Sequence, residues 1–498
     1  MTIEKLSYGG DGIARVSNFV IFVPYSAPGD EVRIRITEKK KDFARGRILR
    51  ILKEGEDRVK PPCPYFFAVD RQPPAPSPPP RFSGARSRPG GADQSPPLWC
   101  GGCNFQHIHY PGQLKQKTEV LKEALEKIGG LSDFALFPAI GMHPDSEWRY
   151  RNKIQIPFGR NGQEVVAGFF APSSHRIVPM EDCLIHSQGI MNLVMLVRRQ
   201  MDDWKLGVYS EKTHSGWLRH LWVRGEMLSG KMLVTFVTSE DPFPRRAEWT
   251  RLIHEKFPEV TGICQNINGK RTNVILGKKW KKIWGEDFLV ESIDRPNGAA
   301  PLKLRVSAGS FFQVNTKMAE KLYRVVKDMV SERGRTPGLL LDLYCGVGGI
   351  GLGCSDLFEH VVGVDETYSS IQDAKDNARL NRISNCKFLR FDVSAFLRDF
   401  SLDASATKLG GSAFGGYRLP LAAVVLDPPR SGCTEEVLKG IARLKSPKIV
   451  YVSCDPSTLA RDLKFLSRNG YRLDKVQPVD LFPESSHIES VSLLIPTA

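Results

Sequence analysis

Five short apolar runs, at 339–343, 360–365, 388–392, 422–427 and 448–452, recur through the C-terminal third of the chain. Helix-period stretches at 316–330, 369–381 and 457–463 alternate with them. Runs of 4–8 β-branched residues separated by helical patterns predict a parallel, doubly wound α/β sheet, because parallel neighbours need a long crossover. Open sheets of this kind bind ligands at the carboxyl ends of their strands. Those ends carry a glycine turn at Gly346, Gly348 and Gly351, the carboxylates Asp365, Asp392 and Asp427, and the thiol of Cys454.

A G-x-G-x-x-G turn taken alone fits a dinucleotide, with Asp365 on a ribose, or S-adenosylmethionine equally well. The later strands decide. A nicotinamide enzyme has no use for Asp427-Pro428-Pro429-Arg430 after one strand or for Cys454 after the next. A methyltransferase acting on a base does. Uracil C5 is too weak a nucleophile to take a methyl group directly; a thiolate adding at C6 makes it one, and a base must then remove the C5 proton. Cys454 and Glu489 suit these roles, and Asp427 is placed to bind the base or the methyl donor. The helix expected from Ser457 onward, opened by a hydroxyl cap, would favour a thiolate at its N-terminus. Against this stand plainer readings: most intracellular cysteines are small buried hydrophobes, Asp365 suits an ordinary strand end, Glu489 a surface and Gln313 a turn.

Residues 1–57 show a turn at Gly9-Gly10-Asp11-Gly12 and strand patterns at 19–24, 30–36 and 43–51, the second alternating polar and apolar, which read as a small β-barrel. Lys39, Lys40, Lys41 and the arginines at 45, 47 and 50 suit phosphate contact and a solvated face equally. The net charge of +15 favours a polyanionic partner. From 139 to about 304 the texture is β-rich, and 148–156 interleaves aromatic and basic residues as single-stranded RNA binding requires, or as a solvated barrel face allows.

Ten cysteines in 498 residues exclude a secreted disulfide framework. Cys63, the pair Cys100 and Cys103, and the distant Cys183 suit tetrahedral zinc or an iron–sulfur cluster; spacing does not separate the two. Thirty-six residues separate Cys63 from Cys100, and residues 61–97 hold 12 of the 34 prolines. Residues 68–97 are therefore expected to be a disordered insertion, and 402–417, rich in Gly, Ser and Ala, a second one. Cys264, Cys345, Cys354, Cys386 and Cys433 are expected to be buried thiols.

Residues 6–15, with Val23-Pro24 and Gly29-Asp30-Glu31-Val32, resemble a TRAM domain, which implies a five-stranded RNA-binding barrel. Phe-Phe-Gln-Val-Asn at 311–315, Asp-Leu-Tyr-Cys-Gly at 342–346, Asp-Pro-Pro-Arg at 427–430, Ser-Cys-Asp-Pro at 453–456 and His-Ile-Glu at 487–489 resemble, in that order, the uracil-5 RNA methyltransferase family. The resemblance covers nearly the whole chain. It implies a C-terminal Rossmann-like class I methyltransferase domain over 306–498, a TRAM barrel over 1–57 and a β-rich central iron–sulfur domain over 58–305, with a helix at 113–128 packed on the catalytic part.

By motif, the resemblance implies Cys454 as nucleophile and Glu489 as base. Gln313, Tyr344, Gly346, Gly348, Asp365, Asp392 and Asp427 are implied as contacts to S-adenosylmethionine. Cys63, Cys100, Cys103 and Cys183 are implied as ligands of a [4Fe-4S] cluster that is structural or positions RNA. The chain departs from the motif at Gly349, where an Asn is frequent, and at Asp392, likewise. The implied reaction is 5-methyluridine formation in rRNA, with tRNA as the alternative, by a cytoplasmic monomer, or an organellar one if a targeting segment has been removed. Rival readings are a non-catalytic RNA-binding protein, a zinc protein of the same fold, and an adenine N6 methyltransferase. The last has no need of Cys454. No run approaches the ~18 apolar residues of a membrane span.

Overall fold

In the computed structural model, residues 1–69, 98–143, 146–295, 299–331, 336–400 and 420–497 are described. The insertion expected over 68–97 lies outside them apart from its first two residues, and that over 402–417 entirely.

Strands β1 (Lys5–Leu6), β2 (Gly12–Val16), β3 (Phe19–Val23), β4 (Glu31–Lys39) and β5 (Phe43–Lys53) form one sheet in the order β1-β2-β3-β5-β4. Period-two alternation sets its faces. In β5, Ala44, Gly46 and Ile48 are buried while Arg45, Arg47 and Leu49 are exposed. Tyr25 stacks on Phe67 at 4.6 Å and accepts a hydrogen bond from Trp99 Nε1 at 2.9 Å, which joins this sheet to the first cysteines.

Helix α1 (Tyr110–Glu123), with Pro111 at its first turn, continues as a wider π-type turn to Ile128. Beyond the short β6 (Ala135–Leu136), six strands make a second sheet: β7 (Lys153–Asn161), β8 (Glu164–Ala167), β9 (Leu218–Gly225), β10 (Met232–Thr238), β11 (Val260–Ile267) and β12 (Lys279–Gly285). Their order is β12-β11-β10-β9-β7-β8, antiparallel except between β10 and β11. Two helices, α2 (Gln188–Asp203) and α3 (Arg246–Lys256), interrupt the β-rich region. Helix α2 buries Ile190, Leu193, Val194, Val197 and Met201 in the same core as Ile154, Ile156, Leu221 and Phe236. A hairpin of β13 (Phe288–Ile293) and β14 (Leu302–Ser307) follows.

The third sheet contains β15 (Thr336–Leu343), β16 (Phe358–Asp365), β17 (Cys386–Arg390), β18 (Leu421–Leu426), β19 (Ile449–Ser453), β20 (Tyr471–Val479) and β21 (Glu489–Pro496). Its order is β17-β16-β15-β18-β19-β21-β20-β6. The five strands expected from the apolar runs are parallel. The sheet is not parallel throughout: β21 runs antiparallel to both β19 and β20. Helices α4 (Thr316–Val330), α5 (Gly349–Gly353), α6 (Tyr368–Leu380), α7 (Val393–Asp399), α8 (Glu435–Arg443) and α9 (Pro456–Ser467) accompany it.

The antiparallel return has one large consequence. Ser453 pairs with Ser490, so the residue after β19 and the first residue of β21 lie at one end of the sheet. Those residues are Cys454 and Glu489.

Helix α1 clamps the loop that leads into β21. Lys117 Nζ donates to Asp480 Oδ1 at 2.7 Å and to the Phe482 carbonyl at 3.1 Å, with both side chains of the pair about fully buried. Tyr110 Oη donates to Asp480 Oδ2, and Gln113 exchanges two hydrogen bonds with Glu484. Burial pulls the Lys117 ammonium down, and Asp480 opposes that. Removing one partner leaves the other charge unpaired in the interior, so Lys117→Met is expected to cost roughly 3–5 kcal/mol, with Lys117→Met/Asp480→Leu recovering part of it. Urea unfolding midpoints of the three proteins measure this.

Candidate active site

The glycine turn after β15 owes its shape to backbone that most residues avoid. Tyr344, Gly346 and Gly348 have φ of 61°, 52° and 83°. Asp342, buried in β15, anchors the turn from below: Oδ2 accepts from Gly351 N at 2.9 Å, and burial raises the carboxyl to about 8. Asp365, last in β16, accepts from Gly346 N at 3.1 Å and from Thr367 N at 2.8 Å. Asp392 caps α7 through Ala395 N at 2.9 Å.

These elements open onto one pocket of about 630 Å³. It is lined by Gln313, Tyr344, Gly346, Asp365, Asp392 and Asp427, together with Cys454 and Glu489. Gly348 does not line it; a Cβ there would lie 2.8 Å from the Phe388 ring, so this glycine serves turn packing. Gly349 also has a steric explanation, since a Cβ at 349 would stand 2.7 Å from Tyr323 Oη. Tyr323, which lines the pocket, fills the space a longer side chain would take.

Charge around Cys454 differs from the expectation. The N-terminus of α9 is taken by Asp455, whose Oδ1 accepts from Ser457 N at 2.9 Å and Thr458 N at 3.0 Å. The helix dipole therefore serves a carboxylate, and the thiol is not lowered. Burial pushes Cys454 up to about 12; Glu489, Asp427 and Asp455 add to that, and Arg430 alone opposes it. Burial also raises Asp427 to about 7. Glu489 is held well above the carboxylate range by burial and then by Asp427, with Arg430 opposing. Two carboxyls that repel each other beside a protonated thiol form a site able to pass protons near neutral pH.

Residues from distant segments brace the turn after Cys454 and the loop before Glu489. Tyr8, in the turn before β2, donates its hydroxyl to Asp455 Oδ2. Asn104 Nδ2 donates to the Gly9 carbonyl at 2.8 Å and its Oδ1 accepts from Ser486 N at 2.8 Å. The N-terminal sheet thus touches both the thiol turn and the loop carrying Glu489. Tyr8 belongs to the turn pattern visible in the sequence, but nothing local to it points to Asp455, 447 positions away.

Cys63, Cys100, Cys103 and Cys183 line a second cavity of about 140 Å³, between the N-terminal and central sheets. Among the described residues no group of three or more His, Cys, Asp and Glu side chains is placed to hold a metal ion. Burial raises Cys100 to about 11 and Cys183 to about 12, and raises Cys103 strongly. Asp182 beside them is engaged by Arg149 at 2.6 Å, which leaves the thiols as the available donors. Four thiols lining one cavity are a donor set of the kind that zinc or an iron–sulfur cluster takes.

The family model for tRNA (uracil-5-)-methyltransferases matches residues 109–496. The chain belongs to this family. A TRAM domain model matches residues 1–49. Uracil-5 RNA methyltransferases of this family draw the methyl group from S-adenosylmethionine, and the chain is an enzyme of that class. An uncharacterized RNA methyltransferase of Halalkalibacterium halodurans is 35% identical over 99% of this chain and 96% of its own length. One from Bacillus cereus is 34% identical over 99% and 95%. The solved tRNA (uracil-54, C5)-methyltransferase of Pyrococcus abyssi, in complex with S-adenosyl-L-homocysteine, shares 25% identity over 99% of this chain and 98% of that one, with a TM-score of 0.70. The mixed α/β methyltransferase fold and the N-terminal TRAM strands follow from these matches. Among the described residues no helix is long and apolar enough to cross a membrane.

If Tyr8 positions the thiol turn, Tyr8→Phe is expected to lower kcat severalfold while KM for RNA changes less than twofold. Steady-state kinetics on the full chain measures the split.

Proposed function

We propose that the chain makes 5-methyluridine in RNA through a covalent bond between Cys454 Sγ and uracil C6. The observation that carries this is the convergence of Cys454 and Glu489, from the ends of adjacent antiparallel strands, in one pocket with the glycine turn. Gln313, Tyr344, Gly346, Asp365, Asp392 and Asp427 are the residues to hold S-adenosylmethionine, with Gly348 supporting the turn. That molecule supplies a methyl group made electrophilic by its sulfonium.

Chemistry by the chain's own residues begins with the thiol. Because Cys454 rests protonated, its proton passes to the Asp427 carboxylate, which leaves Glu489 free, as sulfur bonds to C6; the proton returns to Cys454 when the C6–S bond breaks. The C5–C6 electron pair moves to C5 and the O4 side, and C5 takes the methyl group. Glu489 then removes the C5 proton, the C5=C6 bond re-forms, and the C6–S bond breaks to release Cys454. Arg430, the cation acting on both Cys454 and Glu489, offsets negative charge as it shifts between them.

Ribosomal RNA is the substrate we favour, on the combination of a TRAM barrel with the cysteine cavity. The Pyrococcus abyssi neighbour, named for tRNA uracil-54 and aligned over 99% of this chain, favours tRNA as the second reading. We further infer that Cys63, Cys100, Cys103 and Cys183 hold a [4Fe-4S] cluster. No step above passes through it.

RNA carrying 5-fluorouridine cannot lose a C5 proton, so a methylated Cys454–RNA adduct should survive denaturing gels, and Cys454→Ala should abolish it. Binding of RNA with no adduct from rRNA or tRNA would favour a non-catalytic protein. With natural uridine, Glu489→Gln should cut turnover at least about 10²-fold while accumulating the adduct. The ionised Glu489 carboxylate is the active form and burial holds it well above the ordinary carboxylate range, so single-turnover rates should begin to fall with dropping pH well before that range is reached. Anaerobically purified protein should be brown and carry about four iron and four sulfide per chain, with Cys100→Ala losing both; stoichiometric zinc would overturn the cluster.

A further inference from the structure

Several buried cations among the described residues meet acceptors for their charge. Lys117 has Asp480, Arg58 has Asp30 at 2.6 Å, and Arg219 donates to the carbonyls of Asn268, Lys270 and Thr272. Lys153, at the start of β7, is different. Its ammonium lies 5.2 Å from the Trp222 ring centre and 5.6 Å from that of Phe311, on the wall of the pocket that contains Cys454. Among the described residues it has no carboxylate and no hydrogen-bond acceptor. The charges that act on it are Arg224 and Arg151, both cations, and with burial they pull it down to about 7. Arg151 lines the same pocket, and its buried Nε has no acceptor either.

A half-buried cation beside two other cations, with two aromatic faces against it, is a seat for an anion that the fold does not supply. Phe311 qualifies the anion. Its ring is 61% exposed beside Lys153, although it stands in the pocket wall next to the buried Phe312. An exposed aromatic face adjacent to an unmatched cation is the arrangement that takes a base and its phosphate together. The same side of the sheet continues from Trp222 to Trp280, 6.2 Å apart, on the lysine-rich edge strand β12.

We propose that Lys153 binds the phosphodiester next to the target uridine, and that Phe311 stacks the flanking base, so that single-stranded RNA enters the pocket over β7 and β9. This rests on the reading of the chain as an RNA-modifying enzyme. An incoming phosphodiester would restore the charged form of Lys153 and hold the strand while the uridine reaches Cys454.

The test uses the full chain, a fluorescein-labelled single-stranded RNA with a central uridine, and calorimetry with S-adenosyl-L-homocysteine. Lys153→Met should weaken RNA binding and reduce the slope of log affinity against log salt by about 0.7, the share of one phosphate contact on a single strand. Lys153→Arg should keep the slope, and Phe311→Ala should weaken RNA binding roughly tenfold. Homocysteine-product affinity should stay within twofold in all three. An unchanged slope in Lys153→Met, with normal wild-type binding, overturns the proposal. If homocysteine-product affinity falls instead, the anion is the cofactor's carboxylate and the proposal is likewise overturned. A wild-type chain that binds no RNA overturns the RNA reading itself, and this one with it. Equal thermal unfolding of Lys153→Arg and wild type guards against a folding defect.

Discussion

The pairing of β21 with β19 is the constraint on which the site depends. Ser453 opposite Ser490 places the thiol turn and the first residue of the return strand side by side. A shift by one residue would turn Glu489 to the other face of the sheet, since side chains alternate along a strand. The Lys117–Asp480 pair, with Tyr110 and Gln113, holds the loop before β21 in place, so helix α1 belongs functionally to a site it does not line.

Electrostatics at that end of the sheet oppose the simplest picture of an activated cysteine. The helix N-terminus that would lower a thiol is spent on Asp455. What remains around Cys454 is acidic and buried, with Arg430 as the counterweight. Such surroundings keep the thiol protonated, and burial has moved the neighbouring carboxyls Asp427 and Glu489 above the ordinary carboxylate range. A thiol held protonated in this way is protected from oxidation, because the thiolate is the reactive form.

Three separated segments meet around this centre. The turn at Tyr8 reaches Asp455, Asn104 joins Gly9 to Ser486, and Arg151 lines both the catalytic pocket and the cysteine cavity. The N-terminal TRAM strands are therefore joined to the turn that carries Cys454 and to the loop before Glu489. The segment that follows Cys103 of the cysteine cavity is tied to the loop before Glu489, since the Glu484 carbonyl accepts from Asn104 N at 3.2 Å and Phe105 N at 3.1 Å.

Local sequence determined the elements and the chemistry. Apolar runs of strand length specified the five parallel strands; the turn glycines followed from backbone geometry; and a thiol, a carboxylate and Asp-Pro-Pro-Arg in one chain identified the reaction class, because each depends on residue type and near neighbours. Helix α2 was equally legible, with Ser187 capping a period-3.6 row from Ile190 to Met201, but the surrounding β-rich texture concealed it. Tertiary structure alone decided the rest. Antiparallel return of β21 brought Glu489 to Cys454, Asp455 took the helix dipole, Tyr8 arrived from 447 positions away, and Lys153 was left without an anion among the described residues. Each of these depends on charges and burial contributed by distant segments, and a side chain's charge state follows from what surrounds it in space, which no local pattern encodes.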